Sequence, residues 1–144
     1  MMEFIRDYLD VCVFAVLGLM SILAFAYAIE RFLHYRRVQV RQFEQLESLK
    51  LDLNKGLTII ATIGSNAPYI GLLGTVFGIM LTFYDIGQSG SIDTKAVMVG
   101  LALALKATAL GLFVAIPAMI FYNALLARSE ALQSEWLIAH HRER

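Results

Sequence analysis

The chain has 144 residues, 58% of them hydrophobic, and its 12 basic and 12 acidic side chains cancel at neutral pH. Balanced charge argues against nucleic acid as a partner, which requires a basic face, and a mean hydropathy of +0.64 makes a lipid bilayer the first environment to test. Cys12 is the single cysteine, His34, His140 and His141 fall at no metal-ligand spacing, and no nucleophilic constellation is present, so neither cofactor, metal nor enzymatic activity is expected.

Residues 1–30 hold an N-terminal segment and a first membrane helix. The stretch 11–29, VCVFAVLGLMSILAFAYAI, lies uncharged between Asp10 and Glu30. Ahead of it, Arg6 stands against Glu3, Asp7 and Asp10, the wrong balance for a secretory signal, so the helix is read as retained. Segment 31–56 reads as a cytoplasmic amphipathic helix, with Phe43, Leu46, Leu49 and Leu53 at helical spacing. It either folds against its own chain or joins a collar built from several subunits.

Residues 57–84 read as a second membrane helix that continues into the cytoplasm. A span needs about 20 apolar residues, so the outer part, roughly 64–84, suffices. Gly71, Gly74 and Gly78 run along it, with Gly74 and Gly78 forming a GxxxG, and Thr75 lies among them. The polar segment 85–95, DIGQSGSIDTK, is a periplasmic loop. Residues 96–127 then form a third long helix, spanning over roughly 97–116, with Pro117 at the cytoplasmic exit. Gly100, Ala104 and Thr108 recur there at four-residue steps, as do Ala107, Gly111 and Ala115. Small residues of this kind let helix backbones approach within lipid, whether inside one subunit or between neighbours. Residues 128–144 read as a C-terminal cytoplasmic helix with Leu132, Trp136 and Ala139 along one stripe.

The fold class is therefore all-α, an integral membrane protein with three transmembrane helices. Segment 31–55 carries Arg31, Arg36, Arg37, Arg41, Lys50 and Lys55, and the C-terminus carries Arg128, Arg142 and Arg144, against Arg6 and Lys95 on the other side. The positive-inside rule makes the topology N-out and C-in.

Thr75 and Thr108 lie at comparable depth, ~13–17 Å from the outer end at 1.5 Å per residue. Each either bonds the carbonyl four residues before it or joins the other in lining a polar conduit. Lys106 is the lone charge in residues 96–127. At mid-membrane such a lysine costs roughly 2.5–3.5 kcal/mol. Snorkelling, deprotonation and an ion pair are the available escapes, and the ion pair is preferred. No carboxylate of this chain lies at that depth, so its partner would come from another chain. Lys106 and Thr108 differ by about 200° around the helix and cannot both face one narrow lumen.

The stretches APYIGLLGTVFGIMLTF (67–83) and ALKATALGLFVAIPAMIFYN (104–123) resemble the ExbB/TolQ/MotA family of proton-channel subunits, most closely its ExbB branch in a short form. The resemblance covers about half the chain. It implies a homo-oligomeric ring, pentameric in the family, around the helices of an ExbD-like protein whose aspartate carries protons. A TonB-like protein then drives outer-membrane uptake of iron complexes and vitamin B12. It also implies that Thr75 and Thr108 are the pore threonines and that Pro68 and Pro117 are the motif prolines. The chain departs from the pattern at Leu103, where many relatives hold a glutamate, and in its short loop between the first two spans. A TolQ- or MotA-type subunit and a non-conducting scaffold are the alternatives.

Overall fold

The computed structural model describes residues 2–142; Arg144, counted above among the inner charges, lies outside them. Regular structure among these residues is helical: α1 (Met2–Arg37), a 3-10 turn (Val40–Gln42), α2 (Leu46–Leu53), α3 (Leu57–Ser89) and α4 (Thr94–Arg142). Three helices are long and apolar enough to cross a membrane, within Phe4–Arg37, Leu57–Ser89 and Thr94–His141. With 33 residues α3 extends ~50 Å, and with 49 residues α4 extends ~74 Å, against a hydrocarbon core of about 30 Å. Both run well past the bilayer.

α3 and α4 form an antiparallel hairpin. Gly90 closes α3 in the left-handed conformation, φ 70°, and its amide bonds the Ile86 carbonyl at 3.3 Å. Asp93 then caps α4 through its carboxylate, 3.1 Å from the Lys95 amide. Between these helices the small residues interlock. A Cβ placed on Gly71 would lie 2.6 Å from the Ala107 carbonyl oxygen, and one on Gly111 would lie 2.7 Å from that of Ala67. Gly74 abuts Ala107, and Gly78 abuts Ala104. Pro68 and Pro117 lie inside α3 and α4, which continue through them. Each removes one backbone donor, freeing the carbonyls of Gly64 and Phe113.

α1 packs along the hairpin, with Leu17 buried against Ala67 and Ala115, and Phe25 edge-on to Phe121 at 5.2 Å. At the end of the hairpin that holds Gly90, Arg6 pairs with Asp85 at 3.2 Å. The opposite end differs from the sequence expectation. Segment 31–56 is not one helix: α1 continues to Arg37, the chain extends at Gln39 and Gln45, and α2 follows. One continuous helix would project about 39 Å from the body. The break instead folds Leu49 and Leu53 back into a cluster with Ile60, Leu125 and Leu132. Polar clasps hold the fold-back: Arg31 donates to the Asp52 carbonyl at 2.7 Å, Tyr35 donates to the Leu53 carbonyl, and Trp136 donates to the Phe43 carbonyl at 2.8 Å. Segment 128–142 is likewise continuous with the third apolar run, because Leu125, Ser129, Leu132 and Trp136 form one inward stripe across the charge boundary.

Candidate functional site

Thr75 and Thr108 meet at the closest approach of α3 and α4. Thr75 is buried, 7% exposed, and Thr108 is half-buried. The Thr75 hydroxyl donates to the Ala104 carbonyl at 2.8 Å and also bonds the Thr108 hydroxyl. The Gly71 carbonyl lies farther off, 3.4 Å from the Thr75 hydroxyl and 3.5 Å from that of Thr108. Ala104 is four residues before Thr108, and Gly71 is four residues before Thr75. Each threonine thus reaches toward the backbone carbonyl that the other would ordinarily cap.

The exchange depends on Gly71 and Gly111. Without side chains at these positions the two backbones come close enough for a hydroxyl to cross between helices. The sequence offered a local back-bond or a shared lining; the hydroxyls pair across the hairpin, and Thr75 keeps a longer local contact with the Gly71 carbonyl. Hydroxyls both donate and accept, so the pair can reverse its hydrogen-bond direction without moving either helix.

Lys106 stands apart. It is exposed, on the far side of α4 from Thr108, with its Nζ 5.5 Å from the centroid of the Phe14 ring on α1. It forms no salt bridge among the described residues. Leu103, one turn away, is exposed as well. Gly71, Gly74, Gly78 and Gly111 lie in the α3–α4 interface, while Pro68 and Pro117 are half-buried and both fall on the side of the threonine pair away from the α3–α4 turn.

Sequence reasoning missed Thr82. It is 4% exposed, donates to the Gly78 carbonyl at 2.9 Å, and lies 3.5 Å from an Arg6 nitrogen. Thr82 is seven residues from Thr75, two helical turns along the same face, and that spacing was the available signal. Arg6 and Asp85, read only as flanking charges, join Thr82 in fastening α1 to α3. The cluster of Glu30, Arg31, His34 and Asp52 at the end holding α2 was also missed. Glu30 and Arg31 pair at 2.5 Å and His34 meets Asp52 at 2.6 Å. Three of these four side chains are near neighbours along α1, but their link to Asp52 is set by the fold-back and has no sequence signature.

Three membrane-length helices packed through small residues define a polytopic membrane protein. The profile of the MotA/TolQ/ExbB proton channel family matches residues 36–137, and the chain belongs to that family. It is 56% identical over 137 residues to the biopolymer transport protein ExbB of Helicobacter pylori strain J99, covering 95% of this chain and 94% of that one. It is 51% identical over 140 residues to the biopolymer transport protein ExbB of Aquifex aeolicus, covering 97% and 95%. Similarity to the Tol-Pal system protein TolQ of Pseudomonas aeruginosa reaches 50% but spans 80 residues, 56% of this chain and 35% of that protein. Near-complete coverage of two similarly short relatives places the chain with the short ExbB proteins of the inner membrane. It is a transport protein and not an enzyme.

Proposed function

We propose that this chain is the ring-forming subunit of a motor driven by the proton gradient. Copies of it, five in number, surround a pair of helices from an ExbD-like protein, and the assembly energises TonB-dependent uptake of iron complexes and vitamin B12 across the outer membrane. The N-terminus lies outside and the C-terminus in the cytoplasm. Arginines and lysines concentrated at the end holding α2 support that orientation. The observation that carries the reading is the exchanged hydroxyl pair of Thr75 and Thr108, at mid-membrane depth and joined to backbone carbonyls on both helices. The acid that takes up and releases protons is supplied by the ExbD-like helix.

Ring formation rests on apolar surface that one chain leaves uncovered. Leu73, Val76, Met80 and Phe83 on α3, and Leu105, Leu112, Phe113 and Ile116 on α4, are exposed. Helix faces of that size suit neighbouring subunits and lipid. Native mass spectrometry of the detergent-extracted protein, with and without an ExbD-like protein, tests the assembly. Five copies, with one helix pair added when the partner is present, are expected; a monomer overturns the proposal.

Lys106 is assigned to an ion pair with a carboxylate from another chain. Its insertion costs about 2.5–3.5 kcal/mol, and a ring contact of the Phe14 kind returns roughly 0.5–2 kcal/mol. The shortfall leaves the cation in need of an acid. Lys106→Met is therefore expected to separate the subunit from the complex. The isolated subunit, in which Lys106 is exposed, keeps its stability in thermal unfolding within about 0.5 kcal/mol. The complex with its partner weakens, because a buried carboxylate left unpaired costs roughly 3–5 kcal/mol. Unchanged assembly and unchanged uptake exclude the pair.

A further inference from the structure

We infer that the inner end of α1 is a binding site for an anionic membrane phospholipid, formed by Arg36, Arg37 and Arg41 beneath an apolar track on the same helix. The three arginines are exposed, and among the described residues none takes part in a salt bridge. Of the carboxylates nearby, Glu30 is engaged by Arg31 and Asp52 by His34, while Glu135 lines a separate cavity with Arg41. A shallow groove lined by His34, Arg37, Gln39, Gln42 and the His34-bound Asp52 opens at this place and continues along Glu30 and Leu33. Arg37 in the groove, with amide donors beside it and Arg36 and Arg41 exposed on either side along the chain, matches a phosphodiester, whose oxygens accept bidentate bonds.

The apolar half of the site lies directly along the helix. Ile22, Phe25, Ile29 and Leu33 are exposed and follow one another at steps of three and four residues, so they share one face of α1. Arg36 and Arg37 continue that face at its inner end. From Ile22 to Leu33 the track measures ~16 Å, against a single leaflet of about 15 Å of hydrocarbon. An acyl chain laid on it brings the headgroup level with the arginines. This length match favours a lipid over a soluble anion.

Native mass spectrometry of the wild-type protein, titrated separately with phosphatidylglycerol, phosphatidylcholine and inorganic phosphate, tests the assignment. Phosphatidylglycerol adducts that survive collisional activation are expected, with neither phosphatidylcholine nor phosphate retained. Each juxtamembrane arginine contributes about fivefold in affinity, so R36Q/R37Q/R41Q is expected to bind phosphatidylglycerol ~100-fold more weakly, whereas Arg128→Gln binds it as wild type does. Equal retention of phosphatidylcholine overturns the proposal, as does displacement of the lipid by phosphate. So does a triple variant that keeps its lipid, whether or not the oligomer dissociates; dissociation with lipid retained assigns the arginines to a subunit contact instead. The wild-type headgroup comparison needs no variant and decides the matter even if the triple substitution fails to fold. Conduction and the identity of the client do not enter.

Discussion

Gly71→Val and Gly111→Val are expected to abolish a folded, assembling protein, while Gly18→Ala and Gly87→Ala leave it intact. A Cβ on Gly71 would stand 2.6 Å from the Ala107 carbonyl oxygen, and one on Gly111 would stand 2.7 Å from the Ala67 carbonyl oxygen and 3.0 Å from the Gly71 Cα. These obstacles are backbone atoms of a long helix and cannot rotate away, so the helices must separate. Overpacking in a close-packed core costs about 1–3 kcal/mol even where side chains can adjust. Here, where none can, the effect sits at or above that range, and separating the helices also breaks the threonine pair. At Gly18 and Gly87 nothing lies within 4 Å of the added carbon. Alanine there is neutral, or favourable by up to ~1 kcal/mol through helix propensity. Fluorescence-detected size exclusion after a temperature ramp separates the two groups. If Gly71→Val and Gly18→Ala melt alike, the close approach of α3 and α4 is not what holds the hairpin.

The helix pair was legible because its determinants are local. Long uncharged stretches mark membrane helices, and small residues at four-residue steps mark faces that approach closely. What Thr75 and Thr108 bond to was not legible. A threonine with an α3–α4 gap of ordinary width would cap its own helix, and only the separation fixed jointly by Gly71 and Gly111 lets each hydroxyl cross. Segment 31–56 shows the other limit. The spacing of Leu46, Leu49 and Leu53 is helical and α2 is there, but no Gly or Pro marks the break between Arg37 and Leu46. That break follows from distant partners, the Trp136 indole at the Phe43 carbonyl and Tyr35 at the Leu53 carbonyl, which override local propensity. The boundary drawn at residue 128 followed charge, whereas the buried Ser129 continues the same inward stripe.

Thr75→Val and Thr108→Val are expected to leave assembly almost unchanged and to stop proton-driven work. The stability argument starts from the exchanged geometry. When Thr75 loses its hydroxyl, the Ala104 carbonyl keeps its place in the α4 ladder, and Thr108 falls back on that carbonyl as its own local acceptor. No buried group is orphaned. Interhelical hydrogen bonds in membranes are worth on average about 0.6 kcal/mol, so each single variant loses at most a modest fraction of its stability. Proton handling has no such fallback. A valine can neither accept nor donate, and a positioned proton-transferring group accounts for on the order of 10²–10⁴ in rate. Partner-dependent proton uptake into vesicles carrying the complex is therefore expected to fall by at least ~10² for either valine variant, with Thr75→Ser restoring most of it. Because either loss severs the same pair, the double variant conducts no worse than the singles. A Val variant that assembles and conducts normally removes the threonine pair from the proton path. A serine variant that fails like valine shows that the methyl group, and hence packing, was what mattered at Thr75.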